Sequence, residues 1–359
     1  MSFENRYSIL DKWLHHIGFA TGMVQASVSD IEDRLFARQL ESIESERPVF
    51  ITALPRAGTT ILLNLLAATG EFATHTYRDI PFVLCPMVWE KFSAGFQRDD
   101  KPQERAHGDG VNISSRSPEA FEEILWRHFW NDHYREDCIE PWTTGGNEEF
   151  IAFFTSHMRK IIALRRQEGE VIKRYASKNN GNMARLGLLP EVSQDCSIII
   201  PFRDPIQHAA SLLSQHRRFL AMHSRDRFSA QYMAGIGHYD FGDNLKPINF
   251  DGWLKADRRP DAMELGFWLE YWIVAYRHIL NSSGSPVDLL SYTTLSDRPW
   301  ESLLLLSEHL GMSDPEALIC QAGELRPPRK HTVDTSGVEP YLIAQSQEIF
   351  RELASNSIC

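Results

Sequence analysis

Residues 48–60 constrain this chain more than any other stretch. Pro48-Val49-Phe50-Ile51-Thr52-Ala53-Leu54 is an apolar run of strand length that stops at the turn Pro55-Arg56-Ala57-Gly58. A helix then opens at Thr59-Thr60 and runs through Ile61-Leu62-Leu63-Asn64-Leu65-Leu66 to a natural stop at Gly70. A strand, a tight turn and a helix start, in that order, make a cradle for an anion. Backbone N–H groups at a helix start lack intrahelical partners, and the positive end of the helix dipole lies behind them. Thr59 and Thr60 add hydroxyls to the same place.

Laid against the nucleoside triphosphate loop G-x-x-x-x-G-K-[ST], residues 53–60 keep Gly58 and Thr60 but carry Ala53 for the first glycine and Thr59 for the lysine. That lysine reaches the β/γ-phosphates, so its absence argues against ATP or GTP hydrolysis and for an anion with different charge placement. Arg56 is the substitute cation, because its planar fork can hold two oxygens at once.

A second segment has the same style. Ser197-Ile198-Ile199-Ile200-Pro201-Phe202-Arg203 reads as a buried strand, and Asp204-Pro205 starts a helix through His208, Ala209, Ala210 and Ser211. Pro205 suits a first helical turn. Arg203 falls at the carboxyl end of a strand and Ser211, eight positions on, about two turns into the next helix, so both can face the crevice where α/β sheets bind nucleotides.

Together these segments resemble the sulfotransferases that use 3′-phosphoadenosine 5′-phosphosulfate (PAPS). In that family a P-[RK]-x-G-[TS]-T loop binds the 5′-phosphosulfate, and a strand ending R-[DN]-P, with a serine eight residues after the arginine, binds the 3′-phosphate. Pro55-Arg56-Ala57-Gly58-Thr59-Thr60 matches the first motif, and Arg203-Asp204-Pro205 with Ser211 matches the second. Tyr175-Ala176-Ser177-Lys178-Asn179-Asn180 is similar to the family's strand ending K-[DTS]-P, with Asn180 where proline is frequent. Leu289-Leu290-Ser291-Tyr292-Thr293-Thr294-Leu295, before a helix from about Pro299 to Gly311, is similar to its Y-E-D-L strand, with threonines for the acids. The late basic stretch Arg326-Pro327-Pro328-Arg329-Lys330-His331 carries two prolines and reads as a loop. In the family such a loop folds over the adenosine 3′-phosphate.

The resemblance implies an α/β fold with a P-loop-type central parallel sheet flanked by helices. It implies one domain over 1–359: a helical extension at 1–45 and a core at 46–330 with excursions at 71–150 and 221–265. It further implies PAPS binding by Arg56, Ala57, Gly58, Thr59, Thr60, Arg203, Ser211, Tyr292, Arg329 and Lys330, with Arg56 and Lys178 stabilising charge on the sulfuryl oxygens and leaving phosphate. PAPS has no β/γ pair that calls for a divalent metal, so fixed cations suffice and none is expected. The product is adenosine 3′,5′-bisphosphate (PAP).

Composition agrees. The 359 residues can bury a large core without disulfides, and the five widely spaced cysteines read as reduced, with no zinc spacing. A formal charge of −11 argues against nucleic acid as a partner. No apolar run reaches membrane-spanning length and residues 1–6 lack a signal-peptide pattern, so a cytoplasmic protein without an anchor is expected. The clusters Arg159-Lys160, Arg165-Arg166, Lys173-Arg174 and Arg217-Arg218 read as solvated helix faces. A homodimer is left open.

The two excursions are rich in aromatics and histidines, His238, Tyr239 and Phe241 among them, and are where an acceptor pocket is expected. The acidic, aromatic-rich composition suits a small alcohol, phenol or glycoside acceptor. Sulfuryl transfer also needs a base for the acceptor proton. In protein-tyrosine sulfotransferases acids precede a T-R-x-I-P run. Here that run is Tyr77-Arg78-Asp79-Ile80-Pro81 and the acid positions hold His75 and Thr76. Asp79, His75 and His107 stand as base candidates, and Glu122-Glu123 reads as a helix face with one ion pair. A P-loop kinase or a nucleotide-binding protein without sulfuryl transfer is the competing class.

Overall fold

Alternation along the apolar strands decides the architecture. In the computed structural model, which describes residues 9–93, 103–104, 112–115, 117–143, 145–166, 174–255, 261–282 and 286–359, strands β1 (Val49–Ile51), β2 (Phe72–Ala73), β5 (Arg174–Lys178), β6 (Ser197–Phe202) and β7 (Val287–Ser291) form one sheet in the order β2-β5-β1-β6-β7. Every pairing in it is parallel. A separate antiparallel pair joins β3 (Gln103–Glu104) to β4 (Asn112–Ile113). Phe50, Ile198 and Ile200 enter one apolar cluster, while Val49, Ile51 and Ile199 enter another on the opposite face. With both faces covered, the strands read as continuous apolar runs.

Three helices precede β1: α1 (Ile9–Ala20), α2 (Gly22–Leu35) and α3 (Ala37–Leu40). Helix α4 (Thr59–Ala68) follows the turn after β1. Helices α5 (Pro86–Ser93), α6 (Glu123–Phe129) and α7 (Glu148–Arg165) lie between β2 and β5, and α8 (Leu189–Val192) lies between β5 and β6. Helices α9 (Pro205–His223), α10 (Arg227–Gly235) and α11 (Leu265–Asn281) join β6 to β7. The chain ends with α12 (Tyr292–Asp297), α13 (Pro299–His309), α14 (Pro315–Ile319) and α15 (Pro340–Ser355). Leu62, Leu66, Leu303 and Leu306 of α4 and α13 pack on one face of the sheet. Phe154, Leu212 and Trp272 of α7, α9 and α11 pack on the other. Strand β1 is central, and the chain moves to one side of it for β2 and β5 and to the other for β6 and β7. The carboxyl end of β1 is therefore the switch point where α/β sheets bind ligands.

Several boundaries differ from the sequence reading. Phe72 and Ala73, the start of the predicted excursion, form the sheet's edge strand beside β5. The strand ends at Ser291 and Tyr292 is already helical, because the Ser291 hydroxyl accepts from the Thr294 N–H and caps α12. Residues beyond 330 also join the core, since Ile358 donates its N–H to the Leu289 carbonyl at 2.9 Å. The basic pair Arg159-Lys160 is not a solvated face at Lys160, which is fully buried between Glu32 (3.3 Å) and Asp33 (2.9 Å) and ties α7 to α2. Arg174 is likewise buried against Glu71.

Candidate active site

The turn after β1 is held by its carbonyls. Arg56 has φ +73° and Gly58 φ +109°, so two residues of the four-residue turn adopt left-handed backbone, which is strained for the arginine. His208 bonds the Pro55 carbonyl at 2.8 Å, and Arg203 donates from Nη1 to the Arg56 carbonyl at 3.2 Å. Burial and the nearby arginines push the His208 pKa down to about 3, so the ring is neutral and its Nε2–H is the donor. Bonding the carbonyls from behind leaves the N–H groups at the start of α4 to face the crevice. The Tyr292 ring closes the turn from the side: a Cβ at Gly58 would overlap it, which is a second reason for glycine there besides the positive φ.

Helix α9 supplies the supports because of how it starts. Asp204 caps it by accepting from the Gln207 N–H, and Pro205 occupies the first turn. His208 and Ser211, three apart, share a helix face, which sets the buried Ser211 on the side facing the turn. Gln207 makes two bonds to His331, accepting from its N–H at 2.7 Å and donating to its carbonyl at 3.1 Å. This fastens the late basic loop over the same place, and Tyr292 donates to the Arg326 carbonyl at 3.3 Å.

Positive charge therefore converges on the crevice. Burial and then Arg56 hold the Arg203 pKa below the ordinary arginine value, and Nε of Arg203 has no hydrogen-bond partner among the described residues. His331 is pushed down by burial and by Arg203, Arg329 and Arg56. Arginines gathered over a helix start make a site for a multivalent anion. Of the residues read from the sequence, Arg56, Ala57, Gly58, Thr59, Thr60, Arg203, Ser211 and Tyr292 belong to this turn and its supports, while Arg329 and Lys330 are exposed on the late loop that Gln207 and Tyr292 fasten here. No group of three or more His, Cys, Asp or Glu able to hold a metal is found among the described residues.

A cleft opens beside this turn. Leu54 and Pro55 line it together with Lys178, Asn179 and Asn180 at the end of β5, and its far wall is 236–240 and 245–248. The Asn179 N–H reaches the Ile51 carbonyl at 2.9 Å, which keeps Lys178 beside the end of β1. Asn180, where the family often has proline, donates to Asp240 at 3.0 Å and bridges the cleft's two walls. Apolar lining comes from Ile139, Ile236, Leu245, Ile248 and Tyr271.

The acidic and histidine candidates fare differently. Asp79 is buried, accepts the Thr76 N–H at 2.7 Å in a capping box and pairs with Arg165 at 2.5 Å. His75 is fully buried, with Nε2 2.8 Å from Nε2 of His157, and burial lowers its pKa. Neither lines the cleft. His107 lies outside the described residues. Glu122 and Glu123 are not a solvated helix face. Glu122 accepts from the Trp126 indole (3.0 Å), from Asn182 (2.8 Å) and from Ser177, while Glu123 pairs with the buried Arg185 and accepts from Asn179 at 2.8 Å. Trp126 is the one local partner among these. Ser177, Asn179, Asn182 and Arg185 come from far along the chain.

A family model described as the sulfotransferase family matches residues 48–241, more than half of the chain, and the chain belongs to that family. It is a sulfotransferase. Among solved structures it is similar to sulfotransferase STF9 from Mycobacterium avium, at 13% identity over 91% of this chain and 80% of that one, with a TM-score of 0.49. It is also similar to sulfotransferase STF1 from Mycobacterium tuberculosis H37Rv, at 16% identity over 93% and 83%, with a TM-score of 0.46. No curated protein matches it. No helix among the described residues is long and apolar enough to cross a membrane.

Proposed function

We propose that the chain moves a sulfuryl group from PAPS to a hydroxyl or amine of a small-molecule acceptor. The observation that carries this is the convergence of Arg56, Arg203, Arg329 and His331 on a turn whose Pro55 and Arg56 carbonyls are bonded from behind. Such a site wants an anion charged at two places. In this reading Arg203, Ser211 and the basic loop meet the 3′-phosphate, while the turn and the N–H groups of 58–60 meet the 5′-phosphosulfate. Arg56 and Lys178 then oppose charge on the sulfuryl oxygens and on the departing phosphate oxygen. The acceptor oxygen attacks sulfur from the cleft side, a new S–O bond forms, and the bond from sulfur to the 5′-phosphate breaks with its electron pair leaving on PAP. The acceptor's proton passes to a base.

Calorimetry with PAP and AMP tests the donor. PAP should bind more tightly by about one to two decades, because a charge-assisted contact to the 3′-phosphate contributes about 1.5–3 kcal/mol. Arg203→Ala should erase most of that preference. Equal binding of both nucleotides would sink the assignment, and magnesium-dependent ATP turnover would favour a kinase instead. Tight PAP binding with no sulfuryl transfer to any acceptor would indicate a nucleotide-binding protein.

A further inference from the structure

Resting on that reading, we propose that His238 is the base that takes the acceptor's proton, with Asp240 beside it to stabilise the imidazolium that results. Pro55 and Lys178, which the donor reading uses, line the cleft. His238 and Asp240 line the same cleft, with Asp240 held by Asn180 next to Lys178. An acceptor bound in the cleft is then within reach of the imidazole as well as of the sulfuryl group.

The pair is held in place. The His238 ring stacks on Phe219 with centroids 5.6 Å apart and planes 9° from parallel, and its backbone N–H donates to the Met233 carbonyl at 2.8 Å. Nε2 of His238 is 3.4 Å from Oδ2 of Asp240, whose same oxygen accepts from Asn180 at 3.0 Å. The His238 side chain keeps 15% of its surface exposed, in the cleft that Lys178 also lines. The wall itself hangs from α9: Nδ1 of His216 accepts the Gly242 N–H and Nδ1 of His223 accepts the Asp243 N–H, both at 3.1 Å.

The electrostatics suit a base. Burial, and then the Lys178 ammonium, favour the neutral ring, while Asp240 and Glu119 favour the charged one; the net direction is down from the ordinary histidine value. The ring is thus neutral near pH 7. It can accept a proton as the sulfur–oxygen bond forms, and Asp240 meets the positive charge that appears on the ring. Asp79 and His75 are spent on Arg165, Thr76 and His157, inside the protein and away from the cleft.

The test uses His238→Gln and Asp240→Asn in the full chain, with PAP release from PAPS as the readout and phenols and alcohols of graded acidity, and water itself, as acceptors. His238→Gln should lose at least about a hundredfold with weakly acidic acceptors while PAP affinity stays within about twofold. The loss should shrink toward nothing with 4-nitrophenol at mildly alkaline pH, where the acceptor has already given up its proton; a merely structural residue would lose equally across the series. In the parent, rate falls as pH drops through the His238 pKa, and Asp240→Asn should move that acid limb to lower pH by removing the charge that favours protonation. Turnover of His238→Gln near the parent's on every acceptor, or a loss independent of acceptor acidity, overturns this proposal alone. A parent that binds PAP no better than AMP overturns the donor reading beneath it.

Discussion

The two ends of helix α9 serve opposite walls of the site and do so by different chemistry. Its first turns hold the phosphate-type turn: Asp204 caps, His208 and the preceding Arg203 bond carbonyls of Pro55 and Arg56, and cations accumulate with few carboxylates near them. Its last turns hold the acceptor wall through neutral histidines, His216 and His223, on backbone N–H groups of Gly242 and Asp243. One end is built to hold an anion whose chemistry is fixed. The other is an adjustable wall of aromatic and apolar side chains with a few polar groups, as a specificity pocket needs. In the proposed reading the first region holds the donor and the second the acceptor, and the Asn180–Asp240 bond links them.

Three further measurements bear on that contrast, in descending size of effect. Asp79→Ala should cost about 3–5 kcal/mol of stability, because it leaves Arg165 half-buried without its carboxylate and removes a cap. Turnover per folded molecule should stay near the parent's. A turnover loss far beyond the loss of folded protein would move the base to this side of the molecule and break the comparison.

Next is Arg56→Ala, which should lower turnover by about 10²–10³, or about 2.7–4 kcal/mol of barrier, the scale of removing one charge-stabilising donor. Thermal unfolding should change little, since the arginine is only partly buried and its left-handed backbone is already strained. Turnover within about twofold of the parent would make Arg56 a surface charge.

The smallest effect concerns pH. Burial holds His216 and His223 below the ordinary histidine value, with Asp243 pulling both back up, Asp261 and Asp226 one each, and Arg217 and His223 lowering His216. A depressed folded-state pKa means that the unfolded chain binds more protons. The stabilisation is therefore full above the unfolded value near 6.5 and is lost as pH falls from there through the folded values. Each hydrogen bond at stake contributes about 0.5–1.5 kcal/mol. Melting temperature followed from neutral to mildly acidic pH should fall more steeply in the parent than in the double variant His216→Gln, His223→Gln. Identical slopes would show that the acceptor wall does not depend on neutral histidines.

How legible each part was in the sequence follows from the range of its interactions. The turn 55–58, the start of α4 and the Asp204-Pro205 helix start are set within a few residues by φ preference, capping and strand length, and they could be read directly. The boundary at Tyr292 was misread because a serine cap outweighed the β-branched threonines after it. Glu122 and Lys160 looked like surface charges because their partners, Ser177, Asn182, Glu32 and Asp33, are remote in sequence. His238 stood among the aromatics of an excursion, with nothing local to mark it among fourteen histidines.

By itself, then, the sequence determined the donor side: a parallel α/β sheet and a cationic, glycine-bearing turn at a helix start, because backbone geometry and helix-end chemistry are local. Only the tertiary structure decided which histidine and which carboxylate line the cleft with Lys178. That depends on β5 delivering Lys178 and Asn180 opposite a wall suspended from α9, and on Asp79 and His75 being consumed by buried partners. Burial and long-range pairing choose among titratable residues that are chemically alike, and neither is written in the spacing of the chain.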